Sequence, residues 1–221
     1  MQMSTDGCKW RQWQTAASHA LLSEAAAERS PPMPTRLTLI CHGATAATRS
    51  GAFPVDEPLE ERALARVAAL QPMIRRADRA WTSPALRARQ TAAALGLDAV
   101  DEPALRDADH GRWAGRRLED VQAEEPEGIV AWLADPDAAP HGGETLSALL
   151  LRAAAWVEER VGDSGHGIAV THAAVIRAAI LHALAAPVSS FWRLDIAPLS
   201  IAELSHDGRR WAWRAASLPV G

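Results

Sequence analysis

From residue 36 onward, short aliphatic runs alternate with stretches whose apolar residues recur every three or four positions, and this alternation restricts the chain more than any other feature. Strands separated by helices do not pair as hairpins. Each helix carries the chain back so that the next strand lies parallel, and a parallel sheet needs helices on both faces to bury it. RLTLIC at 36–41 reads as the first strand, and Leu59, Ala63, Val67, Leu70 and Ile74 then mark one helical stripe. RAWT at 79–82 is a second strand. Ser83-Pro84 puts a capping hydroxyl and a first-turn proline at the start of a helix running to about Leu95. Residues 97–100 form another strand, and 106–142 hold Asp, Glu, Gly, Trp and Pro in no single period, as an insertion does.

Leu146, Leu149, Leu150, Ala153 and Val157 mark a long helix with Trp156 in the core, followed by a buried strand at 167–171 and a helix at 173–185. Asp207-Gly208, between strands at 201–204 and 211–214, predicts a closing antiparallel hairpin. The expected class is α/β: three α/β/α layers, a mostly parallel central sheet, and the short insertion over the strand ends. Residues 1–32, which run into the proline-rich stretch at 31–34, read as an N-terminal extension, and 33–221 as one domain with a sizeable core.

Charge narrows the partners. The formal net charge is -4, from 23 Lys and Arg against 27 Asp and Glu, so nothing draws the whole molecule to nucleic acid or an anionic membrane. Anion binding has to come from a local cluster. No apolar run approaches the roughly 18 residues of a membrane span, and the first 30 residues lack the pattern of a signal peptide. Cys8 and Cys41 lie in unlike segments, which argues against a disulfide and for a reducing, cytoplasmic setting.

Two histidines, His42 and His172, follow strands directly. Ligands of open α/β sheets bind beyond the carboxyl ends of strands, so these positions are candidates for one site; equally, each is explained as a polar residue at a strand end. A metal site has little support, since the eight histidines form no HExxH or paired ligand spacing. Cys41 as a nucleophile lacks the spacing of cysteine phosphatases, in which an arginine follows after five residues; here the next arginine, Arg49, is eight positions on. A buried strand-end thiol is the plainer reading.

Four segments resemble, in order, the pattern of the histidine phosphatase (phosphoglycerate mutase-like) superfamily, in its small bacterial phosphatase branch. LTLICHGAT at 37–45 is similar to the strand leading into Arg-His-Gly-Glu-Thr, with His42 on the phosphate-accepting histidine and Gly43 and Thr45 matching. SPALRARQTA at 83–92 resembles Ser-Pro-Leu-x-Arg-Ala-x-Gln-Thr-Ala, putting Arg87 on the phosphate-binding arginine. LRDADHGRWAG at 105–115 aligns Asp107 with the general-acid glutamate, and VTHAAVIRAAI at 170–180 aligns His172 with the second phosphate-binding histidine. GGETL at 142–146 matches a further segment, and the likeness covers about residues 36–216.

The resemblance implies a metal-independent phosphomonoesterase without cofactor, acting on a small phosphorylated metabolite through a phosphohistidine at His42. The chemistry is sound on its own terms. A neutral imidazole attacks phosphorus if its other nitrogen donates to a fixed acceptor. Preplaced donors, namely Arg87, His172, Gly43 and the helix N-terminus at Ala173, take the charge of the transferring group. A carboxyl group, Asp107, protonates the leaving oxygen and later activates water. A mutase is disfavoured because the insertion is short. A homodimer is compatible with this reading.

The same resemblance exposes departures. Cys41 stands where the family has an arginine, and Ala44 and Thr48 replace its Glu and Asn. Loss of one preorganised donor costs about 10² to 10³ in rate. Arg49, on the loop after His42, is the expected substitute cation. The alternative function is a catalytically weak or inactive relative that binds a phosphorylated ligand or a protein. His110, His141, Trp113 and Trp132, in the insertion, are candidates to line a leaving-group pocket; lid packing or surface exposure explains each equally well.

Overall fold

The computed structural model describes residues 34–214; the expected extension at 1–32 lies outside the described residues. In chain order the elements are β1 (Thr35–Cys41), α1 (Ala46–Ser50), α2 (Glu61–Leu70), β2 (Arg79–Thr82), α3 (Leu86–Ala94), β3 (Val100–Asp101), α4 (Leu118–Glu124), α5 (Pro126–Ala134), α6 (Leu146–Glu159), β4 (Gly165–Thr171), α7 (Ala173–Leu184), β5 (Ile201–His206) and β6 (Trp211–Arg214). The six strands form one mixed sheet in the order β3-β2-β4-β1-β5-β6. β1 to β4 pair in parallel, while β5 runs antiparallel to both β1 and β6.

The two-residue period of the strands assigns the helices to faces. Leu37, Leu39 and Cys41 point to one side and pack with Leu149, Ala153 and Val157 of α6 and Val175 and Ile176 of α7. Ile40, Ile168 and Val170 point to the other and meet Ala63 and Val67 of α2 and Ala88 and Ala92 of α3. Trp156, 2% exposed, is in the first of these cores, edge-on to Trp81 at 5.7 Å.

This topology prepares the site. The chain leaves β1 toward β2 on one side and leaves β4 toward β5 on the other, with α2 and α7 on opposite faces, so a crevice opens between two adjacent strands where the winding reverses. The register pairs Cys41 with Thr171. His42 and His172 are therefore the next residue on each strand, side by side although 130 positions apart in the chain.

Three elements differ from the sequence reading. The helix expected from Ser83 begins at Leu86, with Ala85 as an N-cap lacking any side-chain bond; the Ser83 hydroxyl accepts the Ala85 N–H at 3.3 Å and lies 2.7 Å from His172 Nε2. The stripe from Leu59 to Ile74 is helical only from Glu61 to Leu70; a 3-10 turn, Gln71–Met73, holds Pro72, and Leu59 bridges to Thr45 instead. The strand expected at 97–100 is the two-residue β3, Val100–Asp101. The insertion is better ordered than its composition suggests. Its helices α4 and α5 close over a separate small core of Phe53, Trp113, Val121 and Ile129.

Candidate active site

His42 extends β1 by one hydrogen bond, its N–H donating to the Thr171 carbonyl at 2.9 Å. Its Nδ1 lies 2.7 Å from the Gly43 carbonyl, an acceptor, so the ring proton belongs on Nδ1 and the lone pair on Nε2. Nε2 in turn receives the Arg87 Nε–H at 3.3 Å. Burial, and after it His172 and Arg87, push the His42 pKa down to about 4. At neutral pH the ring is an uncharged imidazole with a defined tautomer.

Arg87, in the first turn of α3, is 3% exposed and spends each side of its guanidinium: Nη1 on the Val55 carbonyl at 2.8 Å, Nη2 on Asp107 Oδ2 at 2.8 Å. His172, 1% exposed, caps α7 and stands edge-on to His42 with ring centroids 5.1 Å apart. Its Nδ1 is 3.2 Å from the same Asp107 oxygen, and its Nε2 is 2.7 Å from the Ser83 hydroxyl. Asp107 thus sits between a guanidinium and an imidazole. Burial works against its charge, but His172 and Arg87 outweigh that cost and hold the carboxyl well below its usual range.

These four residues come together; the other expected contributors fare differently. Gly43 does not offer its N–H to the crevice, because that N–H donates to the buried Thr91 hydroxyl at 3.0 Å. It serves through its carbonyl, and its missing Cβ leaves room for Leu59 and Val67. Arg49 is directed away: the Thr45 capping box starts α1 so that Arg49 falls in its last turn, where the side chain is 75% exposed and pairs with Glu60 at 2.9 Å. The expectation that it replaces a missing cation is therefore corrected. Cys41 is buried, and desolvation, with Asp107 nearby, pushes its thiol up to about 12. A thiol in that condition is no nucleophile.

Beside the four residues lies a cavity of about 310 Å³, with Asp107 and Ala173 at the crevice and Phe53, Trp132, Phe191 and Arg177 among its walls. Of the insertion residues, His110 and Trp132 line this cavity, whereas Trp113 and His141 are packed within the insertion at 0% and 2% exposure. Sequence reasoning missed Ser83 as the partner of His172, Thr91 as the anchor of Gly43, and Arg177. Arg177 stood inside the segment at 170–180 but five residues past His172, off the helix face that histidine marks. Among the described residues no group of three His, Cys, Asp or Glu side chains is arranged to hold a metal ion, and no helix is long and apolar enough to cross a membrane.

A neutral, oriented imidazole faced by a buried guanidinium and a second imidazole at parallel strand ends marks an α/β protein with a histidine-centred crevice. The chain belongs to the histidine phosphatase superfamily (branch 1), whose family model matches residues 37–218. It is 32% identical over 217 residues to the bifunctional protein Rv2228c of Mycobacterium tuberculosis, covering 88% of this chain and 60% of that one. It therefore spans less than two thirds of that relative's length. Phosphoserine phosphatase 1 of Hydrogenobacter thermophilus is 27% identical over 128 residues, covering 57% of this chain and 61% of that protein. The mycobacterial glucosyl-3-phosphoglycerate phosphatase Rv2419c, in complex with VO3, superposes with a TM-score of 0.73 at 26% identity over 81% of this chain and 96% of its own.

Proposed function

We propose that this protein is a phosphatase that hydrolyses a small phosphorylated metabolite through a phosphohistidine at His42. The observation that carries the reading is the His42 ring: its Nδ1 is committed to the Gly43 carbonyl and its Nε2 faces Arg87 and the crevice. The phosphatases among its relatives support the same reaction class.

In the free protein the Asp107 carboxylate takes a hydrogen bond from Arg87 and lies against His172 Nδ1, which has no hydrogen-bond partner among the described residues. A phosphate group takes both groups over. Asp107 then loses its cationic partners and gains an anionic neighbour, and both changes raise its affinity for a proton. His42 Nε2 attacks phosphorus as the bond to the leaving oxygen breaks, and that oxygen takes the Asp107 proton. Water next attacks the phosphohistidine, Asp107 accepts its proton, and phosphate departs with His42 neutral again. Arg87 and His172 hold the equatorial oxygens throughout. On this reading Cys41 occupies the place of a motif arginine, and Arg87 is the guanidinium that the transferring group meets.

p-Nitrophenyl phosphate tests the proposal. Turnover by the parent that disappears in His42→Ala is the expected result. Equal turnover in both removes the nucleophile, and turnover in Cys41→Arg but not in the parent favours the ligand-binding alternative.

A further inference from the structure

We infer that the cavity beside His42 receives a leaving group made of a flat apolar body and a carboxylate, and that Arg177 is the residue that recognises the carboxylate. The inference rests on the phosphatase reading for the ligand's orientation, with phosphate at Arg87, but not for its charge preference.

Arg177 projects from α7 into the cavity, half-buried. Its Nε–H donates to the Leu194 carbonyl at 2.7 Å and its Cζ lies 5.6 Å from the centroid of the Phe191 ring, so one bond and one aromatic face hold the guanidinium in place. Among the described residues no carboxylate lies within 4 Å of it, although Asp195, the residue after Leu194, is near enough for its charge to act on the guanidinium. The two acids that line the cavity face other cations: Asp107 pairs with Arg87 at 2.8 Å and lies 3.2 Å from His172, and Glu144 pairs with Arg106 at 2.9 Å and Arg152 at 2.6 Å. A half-buried cation whose outer nitrogens bond to none of the described residues is suited to take an anion, and its immobilisation means little entropy is lost when that partner arrives.

The form of the anion follows from the donors. A single guanidinium edge presents two parallel N–H groups that match the two oxygens of a carboxylate. A second phosphate would also fit an arginine fork, but its greater charge calls for more than one cation, and Arg177 is the one Lys or Arg among the residues that line the cavity. The remaining surface is aromatic, with Trp132 against Phe53 at 5.7 Å and against Trp192 at 4.7 Å, and it favours a flat apolar body between the two anionic ends.

Binding, rather than turnover, tests this directly. Phenylphosphonate and its 3- and 4-carboxyl derivatives carry a phosphorus–carbon bond that a phosphatase does not cleave, so calorimetric titration reads affinity whether or not the protein is active. The parent should bind the better carboxylated probe at least about tenfold more tightly than phenylphosphonate, the range of a charge-assisted hydrogen bond in a sheltered site. Arg177→Met should bring the ratio to about one, and Arg177→Lys, which keeps the charge but not the fork, to a value between. Equal affinities in the parent, no binding of either probe, or a preference that survives in Arg177→Met overturns the inference. Should Arg177→Met not fold, the parent ratio and its decline in Arg177→Lys decide the matter. A protein that prefers the carboxylated probe yet leaves p-nitrophenyl phosphate intact refutes the phosphatase reading alone, and one that turns over without the preference refutes this inference alone.

Discussion

Replacing Thr91 by valine exchanges one hydroxyl for a methyl of similar size and tests how the nucleophile is held. Thr91 is wholly buried; its oxygen accepts the Gly43 N–H at 3.0 Å and donates to the Arg87 carbonyl at 2.7 Å. The Arg87 carbonyl keeps its helical bond after the exchange, since it also faces the backbone N–H four residues on. The Gly43 N–H keeps nothing. A buried donor left without an acceptor costs about 1–3 kcal/mol. For a domain of this size that corresponds to about 2–4 °C in Tm for each kcal/mol. Urea unfolding, with the slope unchanged, gives the free energy and a thermal melt gives the Tm. Thr91→Ser, which keeps the oxygen and loses a methyl, is the control, and its loss of about 1 kcal/mol reflects the missing methyl alone. The Gly43 carbonyl positions the His42 proton, so Thr91→Val should also lower turnover more than Thr91→Ser does. A Thr91→Val protein within about 0.5 kcal/mol of the parent, the spread of neutral substitutions, refutes the role given to this hydroxyl.

Two further perturbations follow from the same geometry. His42 takes a proton near pH 4 when folded and near 6.5 in its ordinary environment, so between those values the unfolded chain binds more protons and stability falls as acid is added. The part of that gap lying between pH 7 and pH 5 is worth about 2 kcal/mol, and Asp107, held well below its usual range, titrates outside this window. Urea unfolding at the two pH values should show the loss in the parent and a smaller one in His42→Gln; the same loss in both removes His42 as the cause. Gly111 has a φ of 47°, and an added Cβ there would fall on the backbone carbonyl oxygen of His141, which cannot move aside without the insertion. Gly111→Ala should cost about 3 kcal/mol or more, seen in the thermal melt and in the tryptophan fluorescence of the insertion, and a parent-like melt contradicts the packing described.

Much of this protein can be read from its residues alone. The alternation of strand and helix patterns determines an α/β sheet with covered faces, because strands such as that at 37–41 carry apolar side chains on both sides, and Asp207-Gly208 determines the closing hairpin. The separated segments around His42, Arg87, Asp107 and His172 carry enough residue identity to mark a family. What residues alone did not decide is where side chains point once neighbours compete for them. Ser83 looks like a helix cap but binds His172, and the helix starts three residues later. Gly43 looks like an anion donor but gives its N–H to Thr91. Arg49 is near His42 in the chain yet follows its own capped helix to Glu60, while Arg177, far along the chain and off the face marked by His172, lines the cavity. Local sequence sets backbone conformation through propensity and capping, which act over a few residues. The direction of a charged or polar group is set by whatever acceptor the strand register and the helix layers bring within 3 Å, and that is decided only when the whole sheet has closed.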